Sequence, residues 1–433
     1  MKGILFTYVL TYGGAAVSLF DPFVGLLAYV CLAIIRPELL WFWAIEPGNS
    51  FSRVVAGALL IGWGVQFLRR GAALSPFAAG RGRAVVLALG AAWIWSVLSA
   101  SLAPNPDTAW GFVETFSKIV LPFLVGISLI DSMARLKALA WVIVLSQSYL
   151  ALEMNLAYFS GYNRLYFDGV AGMDNNSASI AMVTCLGPAF FFGLYARRWW
   201  QRLAAFACAG LLMHAVLFSF SRGGILAMLL TGTVTFLLIR KTIAHYVAFA
   251  AAVLIGLQLA GPGVRERFAT AFAGEGARDA SAQSRLELWT ACGDVMKRMP
   301  VFGAGPDHWP LLAETYGFAQ GKEGHSLWMQ WGAEMGIPGL AFLLLFYGLC
   351  AWRLWPLARA RDPASDPWQR HLASMVIVAL VAFAVSAQFV SLKLLEVPYY
   401  VALLGAGTLK LASAPATDPR RVTDNALTFP ESA

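Results

Sequence analysis

The sequence predicts an all-α polytopic membrane protein with about twelve transmembrane helices and one large periplasmic loop. Three observations carry that class. Hydrophobic residues make up 59% of the 433 residues and charged residues only 13%, whereas a soluble domain is about 25% charged. Mean hydropathy is +0.64, and a soluble fold this apolar would expose large greasy patches. The apolar runs are continuous over about 18 residues or more, without the period-two alternation of barrel strands. Disorder, a disulfide scaffold and an ordinary cytosolic enzyme are thereby excluded.

Candidate spans follow in order at 4–19, 23–35, 53–68, 84–101, 112–130, 136–158, 175–195, 203–219, 223–239, 243–260, 326–352, 371–390 and 394–411. Met1-Lys2 followed by an apolar run resembles a signal peptide. No small-residue cleavage site follows, so the segment reads as a retained helix. Four domains result: N-terminal membrane helices over 1–261, a loop over 262–325, C-terminal membrane helices over 326–411, and a disordered tail over 412–433 that is cytoplasmic. Cys31, Cys185, Cys208 and Cys350 lie in apolar runs and Cys292 in a polar stretch, which gives neither a disulfide framework nor a zinc pattern.

Orientation comes from arginine and lysine in short loops. One set of alternate loops holds Arg69, Arg70, Arg81 and Arg83; Arg135 and Lys137; Arg197, Arg198 and Arg202; Arg240 and Lys241; and Arg353, Arg359, Arg361 and Arg370. The intervening short loops hold almost none, so the first set is expected in the cytoplasm and the 262–325 loop on the other side. The net charge of +8 is thus topological, and no nucleic-acid partner is expected. Parity leaves the start ambiguous. A single broken crossing around Asp21-Pro22 is preferred, with both chain ends cytoplasmic.

Polar residues at the outer face are the functional signal, because ionisable groups near a bilayer are costly. Ser219 to Gly224 reads SFSRGG and joins two spans with almost no loop. Ser221 can cap the following helix, whose N-terminus favours anions, and Arg222 stands beside it. An interfacial arginine snorkelling to headgroups has the same appearance. Asp174, Asn175 and Asn176 stand at the mouth of the next-preceding outer helix. Capping explains one of the three, which leaves Asn175 or Asn176 for substrate. Arg164 lies in the same outer loop, as a ligand or a plain solvated charge.

In the long loop, Ser284-Arg285-Leu286-Glu287 reads as a capping box that starts a helix. Leu286, Trp289, Gly293 and Met296 supply its apolar or small face, and Pro300 ends it. Arg285 then falls in the first turn, where a cation opposes the helix dipole and calls for a partner such as phosphate. Val301 to Trp309 is a glycine-rich turn containing His308. Arg265 and Arg267 sit where the loop leaves the membrane; they serve equally well as anchors, and Arg265 is kept as a third candidate for a diphosphate. His325 opens the next span and can accept a proton near neutral pH, unless it merely caps the helix. Glu334, nine residues on, falls on the opposite side of a regular helix. Gly336, Pro338 and Gly339 could distort that helix, and Glu334 reads as structural. No carboxylate pair or Cys/His set suggests a metal, and no cofactor is expected. Arginine forks match phosphate oxygens, so the residues describe a site for an anionic lipid headgroup.

In this order, the outer DNN, SFSRGG, the RLELW helix with PVFGAGPDHW, and GHS…W…AEMGIPG resemble the O-antigen ligase/polymerase superfamily. The early RPELLW and the 138–146 stretch ALAWVIVLS look most like its exosortase-A-associated O-glycosylation ligase branch. The resemblance covers about residues 20 to 350. It implies a membrane glycosyltransferase of the bacterial inner membrane, acting at the periplasmic face. The donor would be a glycan on undecaprenyl pyrophosphate, and the acceptor lipid A–core, as in lipopolysaccharide biosynthesis, or protein. Catalysis would be metal-independent and inverting. Arg222 and Arg285 match arginines that would bind the donor pyrophosphate, and His325 matches the loop histidine that would activate the acceptor hydroxyl. Arg164, Asn175, Asn176 and His308 are expected as secondary substrate contacts. Ser326 stands where many O-antigen ligases carry Asn, which leaves the acceptor open. The alternatives are a polymerase of the same superfamily and a lipid-linked glycan transporter or flippase. A transporter is expected to show internal repeats and polar residues at mid-membrane.

Overall fold

The computed structural model describes residues 2–45, 50–239, 241–243, 245–247, 250, 254, 280–360, 366–392 and 394–413. Among them there is no strand, only an isolated bridge between Val170 and Met173. Among the described residues nine helices are long and apolar enough to cross a membrane, and three shorter apolar helices accompany them. The chain is an all-α polytopic membrane protein.

The helices are α1 (Gly3–Ser18), α2 (Pro22–Ile35), α3 (Phe51–Arg70), α4 (Arg83–Ser101), α5 (Pro106–Leu129), α6 (Met133–Phe159), α7 (Asn175–Tyr195), α8 (Trp199–Phe218), α9 (Arg222–Leu238), α10 (Ala280–Arg298), α11 (Leu327–Arg359), α12 (Pro367–Ser386) and α13 (Val397–Ala412). Most start at a side-chain cap: Asp21, Asn105, Ser132, Asp174, Ser221, Ser326 and Asp366 each accept a backbone N–H from the first turn. These caps satisfy donors that lipid could not. The helix α13 is buried from Val397 to Leu409 and forms the centre of the bundle with α12. By contrast α3 and α8 are mostly exposed along their length, and present apolar side chains outward as a lipid-facing helix does.

Alternate helix ends gather at two faces. At one, Arg135 stands 3.9 Å from Asp21, the Arg353 guanidinium donates to the Arg81 carbonyl at 3.0 Å, and Lys137 lies 5.2 Å over the Trp368 ring. Every described arginine of the expected cytoplasmic set belongs to this basic end. The opposite end carries the functional candidates.

The chain start departs from the expected broken crossing. Asp21 and Pro22 do not interrupt one helix; they turn the chain back on itself. Phe20 and Asp21 both donate their N–H to the Val17 carbonyl, and the Asp21 carboxylate caps α2. Gly25 lies against Ser18, Gly14 against Ala28 and Gly3 against Trp41, an antiparallel progression. Thus α1 and α2 form a hairpin, and the first turn of α1 lies at the candidate end. The missing Cβ atoms permit that approach: one added at Gly14 would sit 2.8 Å from the Ala28 methyl.

The loop helix also departs from expectation. It starts at Ala280, so Ser284 is internal, and Arg285 lies in the second turn rather than the first. Glu287 instead accepts from the Gln283 amide one turn back, at 3.0 Å. Leu286 points outward, whereas Trp289, Gly293 and Met296 face inward as expected, beside the more deeply buried Leu288, Ala291, Cys292 and Val295. Its end before Pro300 is as expected. The 243–260 span, apart from isolated positions, lies outside the described residues, as do Arg265, Arg267 and the tail from 414 onward.

Candidate functional site

The site forms where four loops meet at one end of the bundle. Five non-glycine residues have left-handed φ angles among the described residues: Arg36, Ala171, Phe220, Asp307 and His325. Each lies at this end, and four immediately or closely precede the DNN, SRGG, His308 and Ser326 positions. Such backbone is costly and persists only where its surroundings hold it.

At His325 those restraints are visible. Ser326 caps α11 by accepting the Met329 N–H at 3.3 Å, and the Leu327 N–H reaches the Ala387 carbonyl at 2.8 Å. From the loop helix, the Trp289 indole N–H donates to the His325 carbonyl at 3.4 Å. The histidine itself is half-buried. Burial holds its pKa below the ordinary value; Lys322 and then Arg285 push in the same direction, and Asp174 opposes them. Burial disfavours the imidazolium and neighbouring cations repel it, so the ring is a neutral base at physiological pH. These influences also place Arg285, Lys322 and Asp174 within electrostatic reach of one imidazole.

The asparagine cluster extends this group towards Arg222. Asp174 caps α7 by accepting the Ser177 N–H at 2.9 Å, and its second oxygen accepts from the Asn176 amide at 3.2 Å. The Asn175 amide donates to the Ser219 carbonyl at 2.9 Å, tying this mouth to the SFSRGG turn. Ser221 caps α9 through the Gly224 N–H at 3.1 Å, and Arg222 is the first residue of that helix. Gly224 is required by packing, since a Cβ there would lie 2.8 Å from the Ser179 Cβ. A second route closes the ring: a Cβ at Gly223 would lie 3.7 Å from Phe389, whose ring stands 6.3 Å from that of Trp289.

The remaining candidates lie further out or beneath. Arg164 is 5.6 Å over the Trp43 ring, and its neighbour Tyr166 packs edge-on to Phe220 at 5.4 Å. His308 is buried; its Nε2 accepts the Asn105 N–H at 3.0 Å and its Nδ1 donates to the Pro306 carbonyl at 2.8 Å. That fixes a neutral tautomer and joins the glycine-rich turn to the cap of α5.

The turn has a larger role, in a break of α11. Gly336 has φ 70° and ψ −178°, which interrupts the helix. The exposed carbonyls of Ala333, Glu334 and Met335 are met by the Ala304 N–H, the Gly305 N–H and the Trp95 indole, each at 2.9 Å. Phe302 stacks on Trp95 at 5.1 Å, and the Ile337 N–H reaches the Pro300 carbonyl at 2.8 Å. Broken backbone at membrane depth is tolerated only when so satisfied. Glu334 is buried here, where its carboxylate accepts from Gln330 at 2.9 Å and from the Trp309 N–H at 3.3 Å. The turn therefore fastens the loop helix over the membrane helices.

Sequence reasoning left Asp174, Lys322, Trp289 and Phe389 out of the candidate set. Asp174 is one of three adjacent residues that can each cap a helix, and Lys322 lies in a short polar stretch with no distinguishing pattern. Phe389 offered no signal, because its role depends on which helices meet.

The fold is that of a multi-pass helical membrane protein, and the candidate site is a cationic, histidine-bearing cluster at one bundle end. The family follows from comparison. Residues 207–344 match the O-antigen ligase family and residues 1–186 match a family of unknown function (DUF5935). The first match spans SFSRGG, the loop helix, His325 and the α11 break, and the second includes the DNN mouth. The first match supports the O-antigen ligase/polymerase superfamily over residues 207–344. A search of curated proteins finds no match.

Proposed function

We propose that the chain is a glycan ligase of the periplasmic face of the bacterial inner membrane, transferring a glycan from undecaprenyl pyrophosphate to an acceptor hydroxyl on lipid A–core or protein. The supporting observation is that His325, Arg285 and Asp174 share one electrostatic environment, at the same bundle mouth as Arg222. His325 takes the proton of the acceptor hydroxyl as its oxygen attacks the anomeric carbon. The bond from that carbon to the phosphate oxygen breaks, and undecaprenyl pyrophosphate departs. Attack opposite the leaving group inverts the anomeric centre. Arg222 and Arg285 meet charge that grows on the diphosphate, which is most useful in the transition state. In this reading guanidinium groups do the work of a divalent cation.

The test is transfer in proteoliposomes containing the lipid-linked glycan and a candidate acceptor. His325→Ala should abolish glycan transfer while expression and fold stay intact. Normal transfer by that variant would remove the base. Activity should survive excess chelator, and a loss restored by magnesium would contradict the arginine role. Products longer than the donor glycan, without a new acceptor linkage, would make the enzyme a polymerase. Movement of the lipid without turnover would make it a transporter.

A further inference from the structure

A second polar site lies at the basic end, far from His325. A cavity of about 900 Å³ opens between the ends of α3, α5 and α13, where Gln66, Arg70, Asp131, Arg135, Lys410 and Ser413 line it. Three cations in that lining face one carboxylate. Two of them are held in place. Arg135 donates to the Leu129 carbonyl at 2.7 Å and to Asp131 at 3.0 Å. The Lys410 ammonium donates to the carbonyls of Ile127 at 2.7 Å and Ser128 at 3.2 Å, at the end of α5. Those bonds explain why the lysine is tolerated, and they leave its third donor. Arg70 ends α3 and is exposed, with no ion pair among the described residues.

Fixed cations around a cavity at helix ends are suited to a phosphate headgroup. We propose that this cavity binds the phosphate of an anionic membrane lipid, with Arg70 and Lys410 on the phosphate oxygens. The lining also includes Leu74, Leu129 and Leu411, apolar groups beside the cations that favour the carbon chains of a lipid over a soluble phosphate. The proposal is independent of the transfer chemistry at the other end.

The experiment is thermal unfolding of the full chain in uncharged detergent, titrated with phosphatidylglycerol or phosphatidylcholine. Phosphatidylglycerol should raise the unfolding temperature saturably, and phosphatidylcholine should not. Arg70→Glu should weaken the phosphatidylglycerol effect by about five-fold or more, the worth of one interfacial cation. Arg70→Gln keeps the comparison open should the reversed charge impair folding. Equal response to both lipids, or an unchanged response in the Arg70 variants, overturns the proposal. An equal shift with inorganic phosphate would assign the cavity to a soluble anion and overturn the lipid assignment.

Discussion

The imidazole of His325 is the group whose protonation the site most directly controls. Burial, Lys322 and Arg285 hold its pKa down, and Asp174 holds it up. A base must be unprotonated, so transfer should be flat near neutrality and fall in acid, with the inflection in kcat/KM below the usual histidine value. Removing a cation raises the imidazole pKa, so Arg285→Ala should move the acid limb to higher pH. Asp174→Asn should move it lower. Coincident profiles for the three proteins would show that these charges do not reach the base. Arg222→Ala should lower the rate on the order of 100-fold at unchanged fold, as for other donors to developing charge. At this scale the sequence singled out the polar stretches, because few chemistries explain arginine and histidine at a membrane face. It could not choose Asp174 over Asn175 and Asn176, since each residue type serves as a cap. The Ser177 N–H on Asp174 and the Asn175 bond to the Ser219 carbonyl separate them.

Among the elements, the break in α11 and the glycine-rich turn form one unit. A Cβ at Gly303 would lie 2.5 Å from the Glu334 carbonyl oxygen, at a φ of 69°. Gly303→Ala should therefore cost roughly 1–3 kcal/mol locally. Limited proteolysis should find 280–309 more readily cut, before any change in global unfolding temperature. The distorting capacity of Gly336 and Pro338 was legible in the sequence; the partner of the distortion was not, because Trp95 lies far away along the chain. The misplaced start of the loop helix has a simpler cause. A Ser-x-x-Glu pattern also occurs inside helices, where i, i+3 residues are neighbours. Trp289, Gly293 and Met296 of its inner face are legible from apolarity and size, whereas Leu286 lies outward because what the helix packs against, not apolarity, selects Leu288, Ala291, Cys292 and Val295 for the deepest positions.

At the level of the whole molecule, apolar periodicity located nearly every described helix, since lipid leaves the backbone few alternatives. The hairpin of α1 and α2 was missed, because a two-residue Asp-Pro punctuation serves a kink and a reversal equally well. Sidedness is testable through exposed positions at the two ends. Tyr162 and Phe77 are both exposed, and the native cysteines are buried or half-buried. Tyr162→Cys should react with a membrane-impermeant maleimide in intact spheroplasts, and Phe77→Cys only after lysis. The reverse labelling would invert the protein and end the periplasmic proposal.

The indole of Trp289 hangs from the loop helix yet grips the carbonyl of the residue that bears the imidazole. The position of the imidazole's backbone is therefore tied to the seating of an element remote from it along the chain, so a substitution that loosens the loop helix should be felt at His325 as well.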